Sequence, residues 1–347
     1  MTQCDFLLIG DGLAGSLLAY RLQAAGASVL LLGKPEEAGA SRVAAGLCNP
    51  ITGRRMGKTW LADTLFPFLH RFYPALEHEL STRFFYPRSI YRPFRSEKAR
   101  RKWLREEQEK TVAFAEVVEA GTVASGIHDT WGGVAVREGG FVDTNTLLDA
   151  LRAYLSERGA YRAAAFAEDD LRLTEAGAQW QDIAAEKVIF CRGAADRHSA
   201  YWSHLPFDVV KGEILDVNFI DAPRDLIVNQ GCWVFRHPSG VFKVGATYDR
   251  QNFSTKPTLE GRADITKRLE RLVSWAYQVV DQRAGVRPAT RDHRPFVGLH
   301  PEHPQLGIFN GFGSKGCTLM PYFSEQFVRF LEYGEALLPE VRVDATR

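Results

Sequence analysis

Cysteine is scarce in this chain, and its few copies lie far apart. Only five occur in 347 residues, and no two of them form a Cys-x-x-Cys pair. An odd number of scattered cysteines argues against a disulfide framework and against a structural zinc site. It favours reduced thiols, and therefore a cytoplasmic protein. The five are Cys4, Cys48, Cys191, Cys232 and Cys317.

Long apolar runs and an excess of one charge sign are also missing. No stretch approaches the roughly 18 apolar residues of a membrane span. The N-terminus lacks the basic region and the cleavage site of a signal peptide, and we expect no membrane association. The formal net charge is +1, and the composition therefore gives no sign of a nucleic-acid partner.

Several catalytic signatures are absent as well. His78-Glu79 begins like the His-Glu-x-x-His pattern of zinc proteases, but position 82 is a threonine. No Gly-x-Ser-x-Gly nucleophile elbow occurs. Cysteine and histidine do not cluster at metal-ligand spacing. These absences argue against a zinc protease and against a hydrolase with a serine nucleophile elbow. No metal site is predicted.

What the chain does contain is a dinucleotide-binding fingerprint at its start. The apolar residues 6–9 are typical of a buried parallel strand, and Gly10-x-Gly12-x-x-Gly15 and a helical pattern follow directly. The first glycine permits a tight turn, the second lets backbone approach a pyrophosphate, and the third lets helix and strand pack closely. The helix N-terminus adds unpaired N–H groups and a partial positive charge. The order of these parts predicts a dinucleotide site.

The fingerprint departs from its usual form in one place. An acid that binds a ribose hydroxyl is expected after the second strand, about 20 residues beyond the glycines. Here the strand at residues 28–32 runs into Gly33-Lys34, and the nearest acids are Glu36 and Glu37. A lysine near this point is compatible with a 2′-phosphate. An NADP enzyme therefore stays open as one interpretation of this site.

The rest of the chain alternates between helical and strand patterns. Residues 60–80 predict a helix, and the mixed charges of residues 98–110 are typical of a solvated helix. Residues 209–248 alternate apolar and polar side chains, which favours an antiparallel sheet. Residues 261–282 carry apolar side chains at helical spacing and predict one long helix. With no repeat or linker visible, we expect a nucleotide domain interrupted by inserted sheet segments.

Five stretches spread over the chain resemble the D-amino-acid oxidase/glycine oxidase (DAO) superfamily of FAD-dependent oxidoreductases. Besides the fingerprint, they are residues 39–50, 139–143, 188–193 and, counted as one, a C-terminal pair at 285–298 and 311–316. The pair contains Gly-Val-Arg-Pro-Ala-Thr-Arg-Asp-His and Gly-Phe-Gly-Ser-Lys-Gly. Within the superfamily it looks most like the FAD domain of bifunctional tRNA 5-methylaminomethyl-2-thiouridine biosynthesis enzymes.

The resemblance implies an α/β fold: a Rossmann-type FAD-binding domain (GR2/DAO-like) with an inserted antiparallel-sheet substrate domain. The FAD-binding domain is expected to combine residues 1–80, 139–205 and 285–347. The substrate domain is expected to combine residues 81–138 and 206–284. The resemblance also favours FAD over NADP, because a second glycine loop that opens a helix suits the negatively charged edge of a reduced flavin.

Enzymes like these oxidise a C–H bond next to an amine nitrogen, and an amino-acid substrate needs an anchor for its carboxylate. The resemblance implies that Arg287 is this anchor, since the planar arginine fork accepts two oxygens. Lys315 is expected to be a second anion contact, and Trp233 to line the substrate pocket. A structural role stays open for each. Lys211 or Glu213 could also face the pocket, and His293 is more typical of a structural residue than of a general base.

The resemblance implies FAD-dependent oxidation of the C–N bond of a small amino acid or N-substituted glycine. One alternative is a stand-alone oxidoreductase that removes the carboxymethylaminomethyl group of a tRNA wobble uridine, which the near-neutral charge does not favour. Another is a non-catalytic flavin-binding protein. No oligomeric state is predicted. The expected cofactor-binding residues are Gly10, Asp11, Gly12, Leu13, Ala14, Gly15, Lys34, Ser41, Arg42, Ala45, Gly46, Gly193, Arg287, Gly311, Gly313, Ser314, Lys315 and Gly316.

Overall fold

The structure, a computed structural model, describes residues 1–34 and 39–344. Glu36 and Glu37 lie outside the described residues. The α-helices are α1 (Leu13–Ala24), α2 (Ala40–Val43), α3 (Ala62–Glu79), α4 (Glu97–Glu106), α5 (Gln108–Thr111), α6 (Thr144–Glu157), α7 (Leu259–Glu270) and α8 (Gly316–Tyr333). Short 3₁₀ helices lie at Glu168–Asp170, Gly193–His198 and Pro339–Val341.

The strands fall into two large and two small sheets. In chain order they are β1 (Thr2–Ile9), β2 (Val29–Gly33), β3 (Leu47–Cys48), β4 (Ile51–Thr52), β5 (Gly57–Lys58), β6 (Phe85–Pro87), β7 (Ile90–Pro93), β8 (Ala115–Val118), β9 (Gly133–Val136), β10 (Gly140–Val142), β11 (Tyr161–Ala163), β12 (Leu171–Thr174), β13 (Gly177–Trp180), β14 (Ile183–Phe190), β15 (Val210–Phe219), β16 (Ile227–Gln230), β17 (Cys232–Arg236), β18 (Phe242–Gly245), β19 (Tyr277–Arg287), β20 (Phe296–Leu299) and β21 (Leu306–Asn310).

The first large sheet places the fingerprint at its centre. Its parallel part runs β11-β2-β1-β14-β21, and the antiparallel strands β12, β13 and β20 complete it. The turn after β1 carries the glycines and leads into α1, as the sequence predicts. Because parallel strands end at the same edge, the loops after β1, β14 and β21 lie side by side there.

Strand β1 is buried on both faces, which explains its unbroken apolar run. Leu8 packs with residues of α1, α3 and α8, whereas Leu7 and Ile9 pack on the other side with Val188 and Phe190. Since side chains alternate along a strand, both faces must be apolar here. The sheet is therefore the middle layer of the nucleotide-binding part.

The second large sheet has the order β19-β15-β18-β17-β16-β7-β9-β8 and is antiparallel except between β16 and β7. Its apolar face packs against α7, where Leu215 and Val217 meet Ile265 and Leu269. The α/β class with an added, largely antiparallel sheet is confirmed. The division into two domains at the boundaries given above stays a prediction.

The prediction of one helix over residues 261–282 is wrong in its second half. Helix α7 ends at Glu270, and β19 begins at Tyr277 and pairs with β15 along its length. Ile265 on α7 is buried as predicted, whereas Val279 lies in β19 opposite Val217. The apolar spacing of the helix continues by coincidence into the strand, where pairing with β15 decides the structure.

Within residues 1–34 and 39–344, no helix is both long and apolar enough to cross a membrane. No group of three or more His, Cys, Asp or Glu side chains in this part of the chain is arranged to hold a metal ion. All five cysteines are free thiols and are buried.

Candidate cofactor and substrate site

The three loops at the carboxyl edge of the parallel sheet are tied to one another. The Cys191 N–H after β14 donates to the Ile9 carbonyl at the end of β1, at 2.9 Å. The Asn310 side chain at the end of β21 donates to the Gly193 carbonyl, at 2.9 Å. The structure therefore brings together the predicted cofactor residues of the loops at 10–15, 193 and 311–316.

Two glycines of the first loop are required by space. Gly10 has a φ of 108°, and a Cβ there would lie 2.7 Å from the Cys191 carbonyl oxygen. A Cβ on Gly15 would lie 1.9 Å from the Gly10 carbonyl oxygen. Both distances are below any real contact. A side chain at either position would push α1 or β14 away from the loop.

The first turn of α1 offers an anion its backbone N–H groups. Gly12, at the N-cap, has no side chain to bond them, and the first turn carries no acid. The Ser41 hydroxyl accepts a hydrogen bond from the Leu13 N–H, at 3.1 Å. A helix start whose N-cap residue bonds none of its N–H groups, and which lies beside a hydroxyl, suits a phosphate.

A buried polar network shapes the loop after β21. Asp196 is fully buried and accepts hydrogen bonds from Arg192 Nε at 2.6 Å and from Asn310 Nδ2 at 2.7 Å. Asn310 Oδ1 in turn accepts from the Gly311 N–H, at 2.7 Å. Burial raises the pKa of Asp196, and the charge of Arg192 opposes this rise. The network fixes the start of the loop that opens α8.

The remaining predicted cofactor residues lie in the loop at 39–46, except Lys34, which precedes it in the chain. Gly46 has a φ of 67°, and a Cβ there would lie 1.9 Å from the Val142 carbonyl oxygen. Ala45 is half-buried beside it, and Lys34 is exposed. The Arg42 guanidinium is occupied on α6 by Asp149, at 2.6 Å, and by the Asn145 carbonyl, at 3.2 Å. A role for Arg42 in binding the cofactor stays a prediction.

Arg287, the predicted carboxylate anchor, is the last residue of β19 and is half-buried. Its Nη1 donates to the Thr247 carbonyl at 3.2 Å, and no carboxylate of the described residues pairs with it. The guanidinium lies against Gly212, where a Cβ would be 2.0 Å from Nη2. Burial lowers the pKa of Arg287. A half-buried cation with no carboxylate partner is suited to bind an anion.

The loop with the second predicted cation adjoins Arg287. The Gly313 N–H donates to the carbonyl of Pro288, the residue after Arg287, at 3.0 Å. Lys315 Nζ is 3.4 Å from Thr52 Oγ1, on the hairpin formed by β4 and β5. Burial and the nearby charge of Arg294 lower the pKa of Lys315. Ser314 is exposed, and α8 begins at Gly316.

Trp233 lies on β17, close to the same region. Its ring lies over Gly245 of β18, where a Cβ would be 2.9 Å from the ring, and it is half-buried. Gly245 is two residues before Thr247, which contacts Arg287. The position is compatible with lining a pocket, and the ring also packs against buried Phe235. Its role as a substrate contact stays a prediction.

Two other candidates take structural positions. Lys211 and Glu213 are buried and lie 3.4 Å apart. Lys211 donates to the Lys256 carbonyl at 2.6 Å, and Glu213 accepts from the Thr258 N–H at 2.8 Å, at the start of α7. Both therefore hold the segment that leads into α7. His293 is exposed, at a φ of 61°.

Three side chains near the two cations have no role that the sequence predicts. The Tyr248 ring centroid is 4.7 Å from Arg287 Cζ, and the tyrosine is 63% exposed. Thr52 contacts Lys315, and the Arg294 guanidinium stacks on Trp60 at 4.0 Å. No spacing in the sequence links these residues to their partners. Of these residues, Arg294 lies in a stretch that resembles the superfamily, at 285–298.

The whole arrangement agrees with what comparison with known proteins finds. A family model described as DAO, FAD dependent oxidoreductase, matches residues 5–329. The chain belongs to the DAO family of FAD dependent oxidoreductases. It is thus an FAD-dependent oxidoreductase, and the preference for FAD over NADP is confirmed.

Curated relatives match over different lengths. Glycine oxidase of Bacillus subtilis (strain 168) is 31% identical over 115 residues, which is 32% of this chain and 31% of that protein. The tRNA 5-methylaminomethyl-2-thiouridine biosynthesis bifunctional protein MnmC of Legionella pneumophila (strain Corby) is 21% identical over 392 residues, 98% of this chain and 56% of MnmC. The matches thus span about a third of the glycine oxidase and just over half of MnmC.

Solved structures share the fold over nearly their full length. Glycine oxidase from Geobacillus kaustophilus has a TM-score of 0.81 at 19% identity, covering 97% of each chain. Iminodiacetate oxidase (IdaA) from Chelativorans sp. BNC1 has a TM-score of 0.77 at 21% identity, covering 96% of this chain and 97% of that chain. At these identities the likeness concerns the fold alone.

The described loops fit FAD by their own geometry. A Cβ on Gly10, Gly15 or Gly46 would collide with the backbone of the protein itself, so these glycines let the loops pack closely together. The N-cap residue of α1, Gly12, has no side chain that could bond the N–H groups of the first turn. We expect the loop at 10–15, with Ser41, to hold the pyrophosphate. We expect the loop at 311–316, which opens α8, to lie at the flavin.

Proposed function

We propose that the protein oxidises the C–N bond of an amino acid or of an N-substituted glycine. The observation that carries this proposal is Arg287, a half-buried guanidinium with no carboxylate partner among the described residues. Arg287 is the last residue of β19, and the next residue, Pro288, accepts a hydrogen bond from the loop at 311–316. A substrate carboxylate on Arg287 would therefore lie beside the part of the site assigned to the flavin.

The chain's own residues mainly bind and orient. FAD, when bound, accepts the hydride that leaves the carbon next to the amine nitrogen. The Arg287 fork would hold the carboxylate by two parallel hydrogen bonds, which fixes the direction of that C–H bond. Lys315 would meet a second anionic group, and Trp233 would limit the width of the pocket. The amine must be neutral for its lone pair to support hydride departure, and the resulting imine is hydrolysed by water.

The relatives support this substrate class without defining the substrate. Glycine oxidases are among both the curated relatives and the solved structures, and another of the structures is an iminodiacetate oxidase. These substrates, as the names state them, are a glycine and a glycine substituted on nitrogen. Two cations, Arg287 and Lys315, would suit the second of these, because iminodiacetate carries two carboxylates. We also propose a reducing, cytoplasmic setting, since all five thiols are free.

A tRNA-borne substituted glycine is a second candidate, supported by one feature of the hairpin formed by β4 and β5. Its turn carries Arg54 and Arg55, which are exposed and have no carboxylate partner among the described residues. The same hairpin reaches Lys315 through Thr52. Exposed arginines at the rim of a site are suited to phosphates. The net charge of +1 gives no wider basic surface to support them.

The test is anaerobic bleaching of the visible flavin spectrum of the purified protein. Glycine, N-methylglycine and iminodiacetate would be added in turn, followed by tRNA that carries carboxymethylaminomethyl-uridine. Rapid bleaching by a small amino acid supports the main proposal. Bleaching by the tRNA alone supports the second candidate instead. A flavin that none of these compounds reduces would contradict both and favour a flavin-binding protein without this activity.

A further inference from the structure

The acid that the fingerprint lacks after β2 has a counterpart elsewhere in the structure. A Cβ built on Gly33 would lie 2.2 Å from Asp11 Cγ and 2.3 Å from Asp11 Oδ2. The carboxylate of Asp11 thus fills the space into which a side chain at position 33 would extend. Asp11 lies in the glycine loop, between Gly10 and Gly12, on the neighbouring strand's turn.

The Asp11 carboxylate is held by two donors from other elements. Its Oδ2 accepts hydrogen bonds from Arg152 Nη2 on α6, at 2.7 Å, and from the Tyr161 hydroxyl on β11, at 3.2 Å. Strand β11 pairs with β2, so Tyr161 reaches the carboxylate from the far side of Gly33. The side chain is 17% exposed. The group is therefore fixed at the edge of the sheet while still reachable by a ligand.

One oxygen of this carboxylate is not used by the described residues. No donor among them bonds Oδ1, whereas Oδ2 takes both hydrogen bonds. In dinucleotide sites the acid after the second strand accepts from a ribose hydroxyl. An anchored carboxylate with one available oxygen at this place has the chemistry for the same contact, and its negative charge disfavours a 2′-phosphate.

We propose that Asp11 binds the adenosine ribose of FAD through Oδ1, in place of the acid missing at position 33. The residue in the glycine loop and the last residue of β2 have thus exchanged roles: Gly33 leaves the space, and Asp11 supplies the carboxylate. Arg152 and Tyr161 are positioning residues for that carboxylate. The inference concerns the cofactor and does not depend on which substrate is oxidised.

The experiment compares the dissociation constants of apoprotein for FAD and for an analogue whose adenosine half is 2′,3′-dideoxyadenosine, both measured by flavin fluorescence. The wild-type protein should prefer FAD by about 10- to 100-fold, the range for a hydrogen bond to a charged group. Asp11→Ala should bind FAD more weakly and reduce the preference to within about twofold. Asp11→Asn, which keeps the volume, should retain only part of it. An undiminished preference in Asp11→Ala would overturn the proposal.

Arg152→Gln is the matched control for a purely structural role, because it removes the ion pair and leaves the carboxylate in place. We expect it to keep most of the preference for FAD over the analogue, because the Tyr161 hydroxyl still holds the carboxylate in place. If Arg152→Gln and Asp11→Ala lost the preference equally, the ion pair alone would explain the effect and the proposal would be wrong. The double variant Asp11→Gly/Gly33→Asp moves the carboxylate to position 33. It should restore the preference for FAD over the analogue that the single variant Asp11→Gly loses. A double variant whose preference for FAD is no greater than that of Asp11→Gly would contradict the proposal.

Discussion

The cofactor loops and the substrate end of the site are built in different ways. At the loop of residues 10–15 the geometry depends on backbone atoms, which leave no room for a side chain on Gly10 or Gly15. At the substrate end it depends on two cations, Arg287 and Lys315, that have no carboxylate partner among the described residues. One region is specified by excluded volume and the other by charge.

The difference decides how each region should respond to change. A side chain that cannot fit moves whole elements, so substitutions of Gly10 or Gly15 should remove cofactor binding altogether. A lost cation removes one interaction and leaves the backbone in place, so its effect should be graded and limited to anionic ligands. The contrast can be tested at Gly15, Arg287, Lys315 and Tyr248, in order of decreasing expected effect.

Gly15→Val should abolish FAD binding. Its Cβ would lie 1.9 Å from the Gly10 carbonyl oxygen, in a buried turn that cannot move without separating α1 from β1. The measurement is the flavin absorbance per chain of the purified protein. Gly39→Ala is the control, since Gly39 has a φ of −66° and nothing within 4 Å of its Cβ position. Gly15→Val protein with a full complement of FAD would show that volume does not specify this loop.

Arg287→Met should leave FAD bound and raise the KM for carboxylate substrates by about 100-fold, the upper range for hydrogen bonds to a charged group. Arg287→Lys should recover only part of the loss, because a point charge does not replace a bidentate fork. Steady-state kinetics check both variants. Arg283→Met is the matched control on the same strand, where Arg283 is already paired with Asp216 at 2.9 Å. Unchanged kinetics in Arg287→Met would remove the anchor from the proposed function.

The contrast also explains which features the sequence could predict. The glycine loop, the parallel strand β1 and the α/β class follow from local spacing, because each glycine is required by atoms within a few residues or by the next strand. The helix predicted over residues 261–282 fails at Tyr277, where pairing with β15 overrides the local pattern. Local spacing carries no information about which strand will pair there.

The candidate site shows the same division. Arg287 and Lys315 could be proposed because they fall in stretches that resemble the superfamily. The contact of Arg287 with Gly212 and the contact of Lys315 with Thr52 join residues far apart in the chain. The carboxylate of Asp11 over Gly33 could not be predicted either, since only the fold brings the turn after β1 to the end of β2. Such pairs become visible only once the sheets are assembled.

Lys315 should make the binding of dianions sensitive to alkaline pH. Burial and Arg294 lower its pKa, so it loses its proton at a lower pH than an exposed lysine does. Because the charged form binds the second anion, affinity should fall as pH rises through that lowered pKa. Thiodiacetate is a suitable probe, since it has two carboxylates and no amine that titrates. Its dissociation constant can be followed through perturbation of the flavin spectrum.

Lys315→Met should weaken the binding of thiodiacetate by roughly tenfold at neutral pH, consistent with the loss of one charged hydrogen bond. The variant should also no longer lose affinity as the pH becomes alkaline. Lys315→Arg should keep the affinity and also abolish the alkaline fall, because an arginine stays charged throughout. A wild-type protein whose affinity for thiodiacetate does not change between neutral and alkaline pH would show that Lys315 does not contact the second anion.

Tyr248 should have the smallest effect, because its ring touches Arg287 rather than the proposed substrate carboxylate. The ring centroid lies 4.7 Å from Arg287 Cζ, and the side chain is largely exposed, where a cation–π contact is weak. Tyr248→Leu should raise the KM for carboxylate substrates by about two- to fivefold, the range for an exposed contact of this kind. Tyr248→Phe keeps the ring face and should behave like the wild type. If Tyr248→Phe were as impaired as Tyr248→Leu, the hydroxyl and not the ring would be the functional group, and the substrate end would contain a hydrogen-bond donor besides its two cations.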